Sequence, residues 1–248
     1  MSGHSKWSTI KRKKGAADAK RGAAFTKLAN AITIAAKEGG GDPTMNFALR
    51  IAIDKAKSSN MPSANVERAI KRGTGELADA KALEQIAYEG YGPGGVAFLI
   101  ECLTDNRNRT VSEVRSTLTK RGGSLGETGS VGYLFEKKGV ISVAKSDVDT
   151  DAVMLTAIDA GASDVVEEDD TLEIETPLQS FAAVKDAVES LGATAATAEL
   201  ANVASTHLPI ENATVAGKIV DLASELEELE DVTSVSTNAD IDPALISG

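Results

Sequence analysis

Apolar residues recur at helical spacing through the first third of the chain, then give way to short strand-like runs. Phe25, Leu28, Ala29, Ile32 and Ala36 fall on one face of a helix. Gly39-Gly-Gly41 ends that helix, and Asp42-Pro43 turns the chain. A second helix over about Asn46–Ser59 aligns Leu49, Ile53 and Ala56 before Asn60-Met-Pro62 breaks it. A third, short helix carries Val66 and Ile70 and stops at Gly73. These positions predict a three-helix unit without a strand.

The texture changes after Gly75. Ile86–Tyr91 and Val96–Leu103 read as strands around the turn Gly92-Pro-Gly-Gly95. Thr110-Val-Ser-Glu113 matches a capping box opening a helix with Val111, Val114 and Leu118 inward, ended by Gly122-Gly123. Ser130–Phe135 and Gly139–Val143 are strand-like runs on either side of Lys137-Lys138. A helix near Val153–Ala160, a hairpin through Glu167-Glu-Asp-Asp170, a second capping box at Thr176-Pro-Leu-Gln179 and a strand near Ala198–Ser205 follow. From Gly139 the order is βαββαβ, the ferredoxin-like arrangement. The last helix turns Val215, Ile219, Leu222, Leu226 and Leu229 inward, and a strand at Val232–Ser236 ends the pattern.

The block 86–121 is ββα and lacks the helix and strand that would complete a sandwich, which the final αβ at about 213–237 can supply. The expected fold class is therefore multidomain α and α+β. An N-terminal three-helix domain (1–75) precedes two ferredoxin-like α+β domains, one inserted in the other. The outer domain is discontinuous, 76–138 plus 206–248, and the insert is an acidic domain over 139–205.

Charge changes the picture more than composition does. The 248 residues are 42% hydrophobic and 25% charged, ordinary for a folded protein. The net charge of −11 hides a strong asymmetry. Residues 1–75 hold 15 Lys and Arg against 5 Asp and Glu, a balance of +10. Residues 76–138 balance 8 against 9, and residues 139–248 hold 3 against 23, a balance of −20. A polyanion partner is thus expected at the N-terminal third alone, with the acidic remainder repelling it elsewhere. One cysteine, Cys102, and two histidines, His4 and His207, leave no disulfide and no Cys/His zinc cluster to build. No secretory signal or membrane span is legible, so a cytoplasmic location is expected. No cofactor, no membrane partner and no enzymatic activity are expected.

The sharpest site signal is the run Lys11, Arg12, Lys13 and Lys14, with Lys6, Lys20 and Arg21 around the lone Trp7. A charge run is often only a solvated tail. Four consecutive cations gain far more from phosphates, whose released counterions supply entropy. An exposed indole can also stack on a base, against the alternative that Trp7 is a core staple. Lys27, Arg68, Lys71 and Arg72 extend the patch, and Arg50, Lys55 and Lys57 continue it. Asp105-Asn-Arg-Asn-Arg109 precedes a helix N-terminus, so Arg107 and Arg109 can read bases or phosphates, or the loop can be a capping turn. Gly90-Tyr-Gly-Pro-Gly-Gly95 has neither phosphate-loop spacing and reads as a turn. Glu167–Asp170 lacks calcium-loop spacing and reads as a solvated hairpin tip. A carboxylate-based hydrolase in the acidic domain is a distant alternative, without a paired motif to support it.

Gly3-His-Ser-Lys-Trp7, Ala19-Lys-Arg-Gly22 with Phe25-Thr-Lys-Leu28, Gly39-Gly-Gly-Asp-Pro43, Asn60-Met-Pro62 with Glu67-Arg-Ala-Ile70, Tyr88-Glu-Gly-Tyr-Gly-Pro-Gly-Gly95 and Thr104-Asp-Asn-Arg-Asn-Arg-Thr110 together resemble the YebC/PmpR family. The resemblance is dense from Gly3 to about Val143 and looser beyond. It implies a three-domain cytoplasmic protein with a helical first domain and two α+β domains. It implies a DNA-binding regulator of transcription. It also leaves open a ribosome-associated translation factor that contacts ribosomal RNA and relieves stalling at sequences such as proline runs. Either role leaves the α+β domains available to the ribosome or to other proteins.

Overall fold

The computed structural model describes residues 21–77, 83–168, 170–193 and 195–246. Three helices come first: α1 (Arg21–Gly39), α2 (Phe47–Ser58) and α3 (Ser63–Thr74). Then follow β1 (Glu84–Tyr91), β2 (Ala97–Thr104), α4 (Arg107–Lys120), β3 (Ser124–Leu125), β4 (Phe135–Ala144), α5 (Thr150–Asp159), β5 (Asp164–Glu167), β6 (Thr171–Thr176), α6 (Phe181–Ser190) and β7 (Ala195–Ala204). The chain closes with β8 (Leu208–Ile210), α7 (Ala213–Glu228), β9 (Val232–Thr237) and β10 (Ala239–Ile241). Three buried apolar clusters organise these elements, one in the helical unit and one beneath each four-stranded sheet. The fold is helical first and α+β afterwards.

The helical unit forms where the pattern placed it. Ile32, Ala36, Leu49, Ile53, Ala56, Val66 and Ala69 make its core. Asn46 caps α2 by accepting from the Leu49 amide, and its own amide group donates to the Ala35 and Gly40 carbonyls. One side chain therefore fixes both the start of α2 and its position against α1. The third helix runs one residue past the expected stop at Gly73. Gly75 closes it instead, in the left-handed conformation at φ +78°.

The first sheet has the order β3-β1-β2-β9, and every pairing is antiparallel. The helix and strand missing from the ββα block thus come from the end of the chain: β9 pairs with β2, and α7 packs beside α4. Phe98, Ile100 and Cys102 of β2 meet Val114 and Leu118 of α4 and Ile219, Leu222 and Leu226 of α7 in a closed core. Burial pushes the Cys102 thiol up to about 12, so it serves as a small core side chain and not as a nucleophile. The turn between β1 and β2 is Gly92–Val96, with Gly94 and Gly95 both at positive φ, and Gly90 and Tyr91 of the expected turn are the end of β1.

The second sheet has the order β5-β6-β4-β7, the ferredoxin-like order, with α5 and α6 over a core of Ile141, Val143, Leu172, Ile174, Phe181, Val184 and Val188. β4 is one continuous strand, not two runs around Lys137-Lys138. Its first half, Phe135–Lys138, pairs with Ala201–Ala204 of β7. It therefore crosses the junction expected at 138/139. Residues 132–134, expected in a strand, form a single 3-10 turn.

Both expected capping boxes are corrected. The cap of α4 is Asn106, whose Oδ1 accepts from the Arg109 amide, and Thr110 lies buried inside the helix. Thr176 is the buried last residue of β6, and α6 starts only at Phe181 with no side-chain cap. The Thr110 hydroxyl is taken by a tertiary partner, Asp231, whereas the Thr176 hydroxyl donates to the Pro177 carbonyl and caps nothing.

One buried carboxylate shapes the loop between β3 and β4. Glu89 of β1 accepts from the amides of Gly129 (2.7 Å), Val131 (2.6 Å) and Gly132 (2.6 Å). Burial alone would raise its pKa; the three amide bonds outweigh that and hold the carboxyl below its ordinary value of 4.5. The stabilisation is therefore complete above the unfolded value and is lost as pH falls through the folded one. Wild type should exceed Glu89→Gln in urea-unfolding stability at neutral pH, and the gap should narrow as pH drops below 4.5. A gap that widens on acidification would contradict the clamp.

Candidate nucleic-acid interface

The expected cations of the helical unit divide sharply by environment. Val66, Ala69 and Ile70 turn one face of α3 inward against α1. The approach is close: a Cβ on Gly73 would sit 2.4 Å from the Thr33 carbonyl, and Thr33 Oγ1 donates to the Ala69 carbonyl. With that face committed, Arg68, Lys71 and Arg72, at i, i+3 and i+4, share the solvent face. All three are exposed, and none pairs with a carboxylate among the described residues. Lys57, at the end of α2, is exposed in the same way.

The other cations of the unit have structural partners. Lys55 bonds Glu199 of the second sheet at 2.6 Å. Arg50 lies 4.9 Å over the Phe47 ring, which meets Phe181 edge-on at 5.5 Å. Lys37 donates to the Leu83 carbonyl at 2.9 Å. These contacts, with Phe47 and Ile51 packed on the second core, dock the helical unit onto both sheets. Lys27 lines a groove with Thr26, Glu228 and Glu230, where carboxylates compete with any phosphate. Lys6, Trp7, Lys11, Arg12, Lys13, Lys14 and Lys20 lie outside the described residues, and Arg21 is described only as the first residue of α1.

The two loop arginines separate. Arg107 is exposed, with a long 3.4 Å contact to Glu84. Arg109 is corrected as a candidate reader: its guanidinium lies at the surface but is engaged by carboxylates of the chain itself. Nη2 donates to both Asp231 oxygens at 2.8 and 2.9 Å, Nε to Oδ2 at 3.2 Å, and Asp105 adds a contact at 3.2 Å. Asp231 also accepts from Thr110 Oγ1 (2.7 Å) and Thr104 Oγ1 (3.1 Å), while its own carbonyl takes the Leu103 amide. The segment Thr104–Thr110 is thus a clasp on the residue that introduces β9. No local pattern marks Asp231, because the side chains it gathers stand more than a hundred positions away. Among the described residues no group of three His, Cys, Asp or Glu side chains is placed to hold a metal, and no helix is long and apolar enough to cross a membrane.

The model of the TACO1/YebC N-terminal domain matches residues 5–76, and that of the TACO1/YebC second and third domain matches residues 83–239. The chain belongs to the TACO1/YebC family. Similar proteins include a "probable transcriptional regulatory protein" of Geobacter sulfurreducens, 53% identical over 97% of this chain and 96% of that one. One of the same description from Trichlorobacter lovleyi is 54% identical over the same shares. A third, from Herpetosiphon aurantiacus, is 50% identical over 99% and 97%. A crystal structure of a conserved hypothetical protein from Aquifex aeolicus superposes with a TM-score of 0.83 at 42% identity, covering 93% of this chain and 95% of that one. The junction between the two TACO1/YebC matches falls at 77–82, directly after α3 and before β1.

The clasp predicts a stability effect remote from any ligand. Asp231→Ala removes the acceptor that Arg109 shares with two buried hydroxyls, leaving Arg109 with Asp105 and the Thr110 hydroxyl with the Asn106 carbonyl. It should cost about 2–3 kcal/mol, below the full cost of breaking a buried ion pair because Arg109 is part-exposed. The urea-unfolding midpoint reads this directly, and a change near zero would remove the clasp from the account.

Proposed function

We propose that this TACO1/YebC chain is a nucleic-acid-binding protein, a DNA-binding regulator of transcription, and that it contacts phosphate through its basic N-terminal third. The observation that carries the reading is the solvent face of α3, where Arg68, Lys71 and Arg72 stand together with no acidic partner among the described residues, while Val66 and Ala69 face the core. Three cations kept together lose little on binding phosphate and release the counterions condensed there. The run Lys11–Lys14 adds four charges to the same third of the chain. The names of the relatives point to the same role. The balance of −20 over residues 139–248 keeps the polyanion from the other faces. Binding, not turnover, is the activity: Glu89 and Asp231, buried carboxylates of the first sheet, are saturated by amides, hydroxyls and Arg109 and hold structure.

Salt dependence tests this reading. Each phosphate neutralised contributes about −0.9 to the slope of log K against log salt on B-DNA, and about −0.7 on single strands. Removing Arg68, Lys71 and Arg72 together, as alanines, should flatten the slope on duplex DNA by about 2–3 units. Removing Lys11, Arg12, Lys13 and Lys14 should flatten it by about 2–4 units. Both losses should be uniform across sequences, because phosphate contacts position without specifying. Ribosomal RNA in the same titration decides the target: steeper and tighter binding there would move the function to the ribosome. Unchanged slopes in both variants would make these cations a solvated surface.

A further inference from the structure

We propose that the outward face of α5 is a docking surface for a basic protein segment, one whose cations flank an aliphatic side chain. Val153 and Ala157 turn α5 inward onto the second core. Leu155 lies two positions from each, so it points away from the sheet, and it is 65% exposed. Ile158, at i+3 from Leu155, is 50% exposed. Asp151 and Asp159, four residues before and after Leu155, share its row and are exposed too. A Cβ on Gly161 would stand 2.9 Å from Ser180 Oγ, which sets the end of α5 against the start of α6. Exposed Leu178 therefore stands at the Ile158 end of this helix pair. A single exposed leucine is ordinary. Two aliphatic side chains on one outward ridge, bracketed by carboxylates and with a third at the end of the next helix, have the make-up of an interface: an apolar centre with a charged rim.

Charge selects the occupant. Residues 139–205 hold 2 Lys and Arg against 14 Asp and Glu, a balance of −12. Both cations are engaged within the domain, Lys185 by Glu189 at 2.7 Å and Lys145 by Glu167 at 2.8 Å. The exposed carboxylates of Asp151, Asp159 and Asp186 therefore set a negative field over the two helices. That field repels nucleic acid and anionic lipid headgroups, and it repels the same face of a second copy. The α3 face of a second copy supplies Arg68, Lys71 and Arg72 but no large exposed apolar side chain to cover Leu155. A basic segment built around an aliphatic anchor meets both demands. The anchor covers Leu155 and Ile158, and its cations reach Asp151 and Asp159 on either side. The surface is separate from the cations of α3, so it adds a protein partner to the nucleic-acid reading without resting on it.

The test titrates the full-length protein with two labelled synthetic peptides of equal charge, a helical one with a leucine face flanked by lysines and an oligolysine. The leucine–lysine peptide should bind the more tightly. Leu155→Gln combined with Ile158→Gln, which preserves helix propensity, should weaken it at least about tenfold. Asp151→Asn combined with Asp159→Asn should weaken it at low salt and match wild type at about 1 M salt, where the charges are screened. Duplex DNA binding should persist in both variants. Equal peptide affinity in the glutamine variant, equal binding of oligolysine, or no binding of the leucine–lysine peptide by wild type overturns the proposal and leaves the α3 reading standing. A wild-type dimer in sedimentation that the glutamine variant loses gives the face to a second copy and overturns the proposal as well.

Discussion

The pairing of β9 with β2 is the constraint on which the rest of the molecule depends. Ile100 faces Val235 across that ladder, and the second sheet forms entirely from chain lying between them. Closing so long a loop costs entropy that grows only as the logarithm of its length, so the return is tolerable thermodynamically. It is slow kinetically, because distant partners must meet before either is rewarded. Asp231 stands at the point of return. Its carboxylate gathers Thr104, Arg109 and Thr110, and its carbonyl takes the Leu103 amide. The clasp sets the register where β2 bulges between Glu101 and Cys102.

From that closure the placement of the cations follows. The completed sheet and the inserted sheet together give the helical unit two surfaces to sit on. Phe47 on Phe181, Lys55 on Glu199 and Lys37 on the Leu83 carbonyl hold it there. Those contacts take up one set of the unit's charges and leave another, on α3, facing water. A basic helix packed on an acidic body would neutralise itself if all its cations turned inward. The division between paired Lys55 and Arg68, Lys71 and Arg72, which have no acidic partner among the described residues, is what lets a protein of net charge −11 offer a polyanion a surface.

Legibility in the sequence followed the range of the interaction. The three helices were readable because Leu49, Ile53 and Val66 recur within single helices. The return of the last helix and strand was readable because a ββα block leaves one sheet incomplete. The capping boxes at Thr110 and Thr176 misled for the opposite reason. Their spacing is local, but the hydroxyl of Thr110 answers to Asp231, and Thr176 is buried at a strand end. Arg109 looked like a base reader because its acceptor is invisible at short range. Glu89 gave no signal at all: one carboxylate in a strand acquires meaning only when the amides of Gly129, Val131 and Gly132 fold onto it.

The central claim is that nucleic acid meets this protein at the basic helical unit and not at the acidic domain. Hydrogen exchange of the full-length protein, alone and saturated with duplex DNA or ribosomal RNA, reads the contact most directly. The account predicts slowed exchange over α3 and the first turns of α1, with α5 and α6 unchanged. Protection centred on α5 and α6, with α3 exchanging as before, would contradict it.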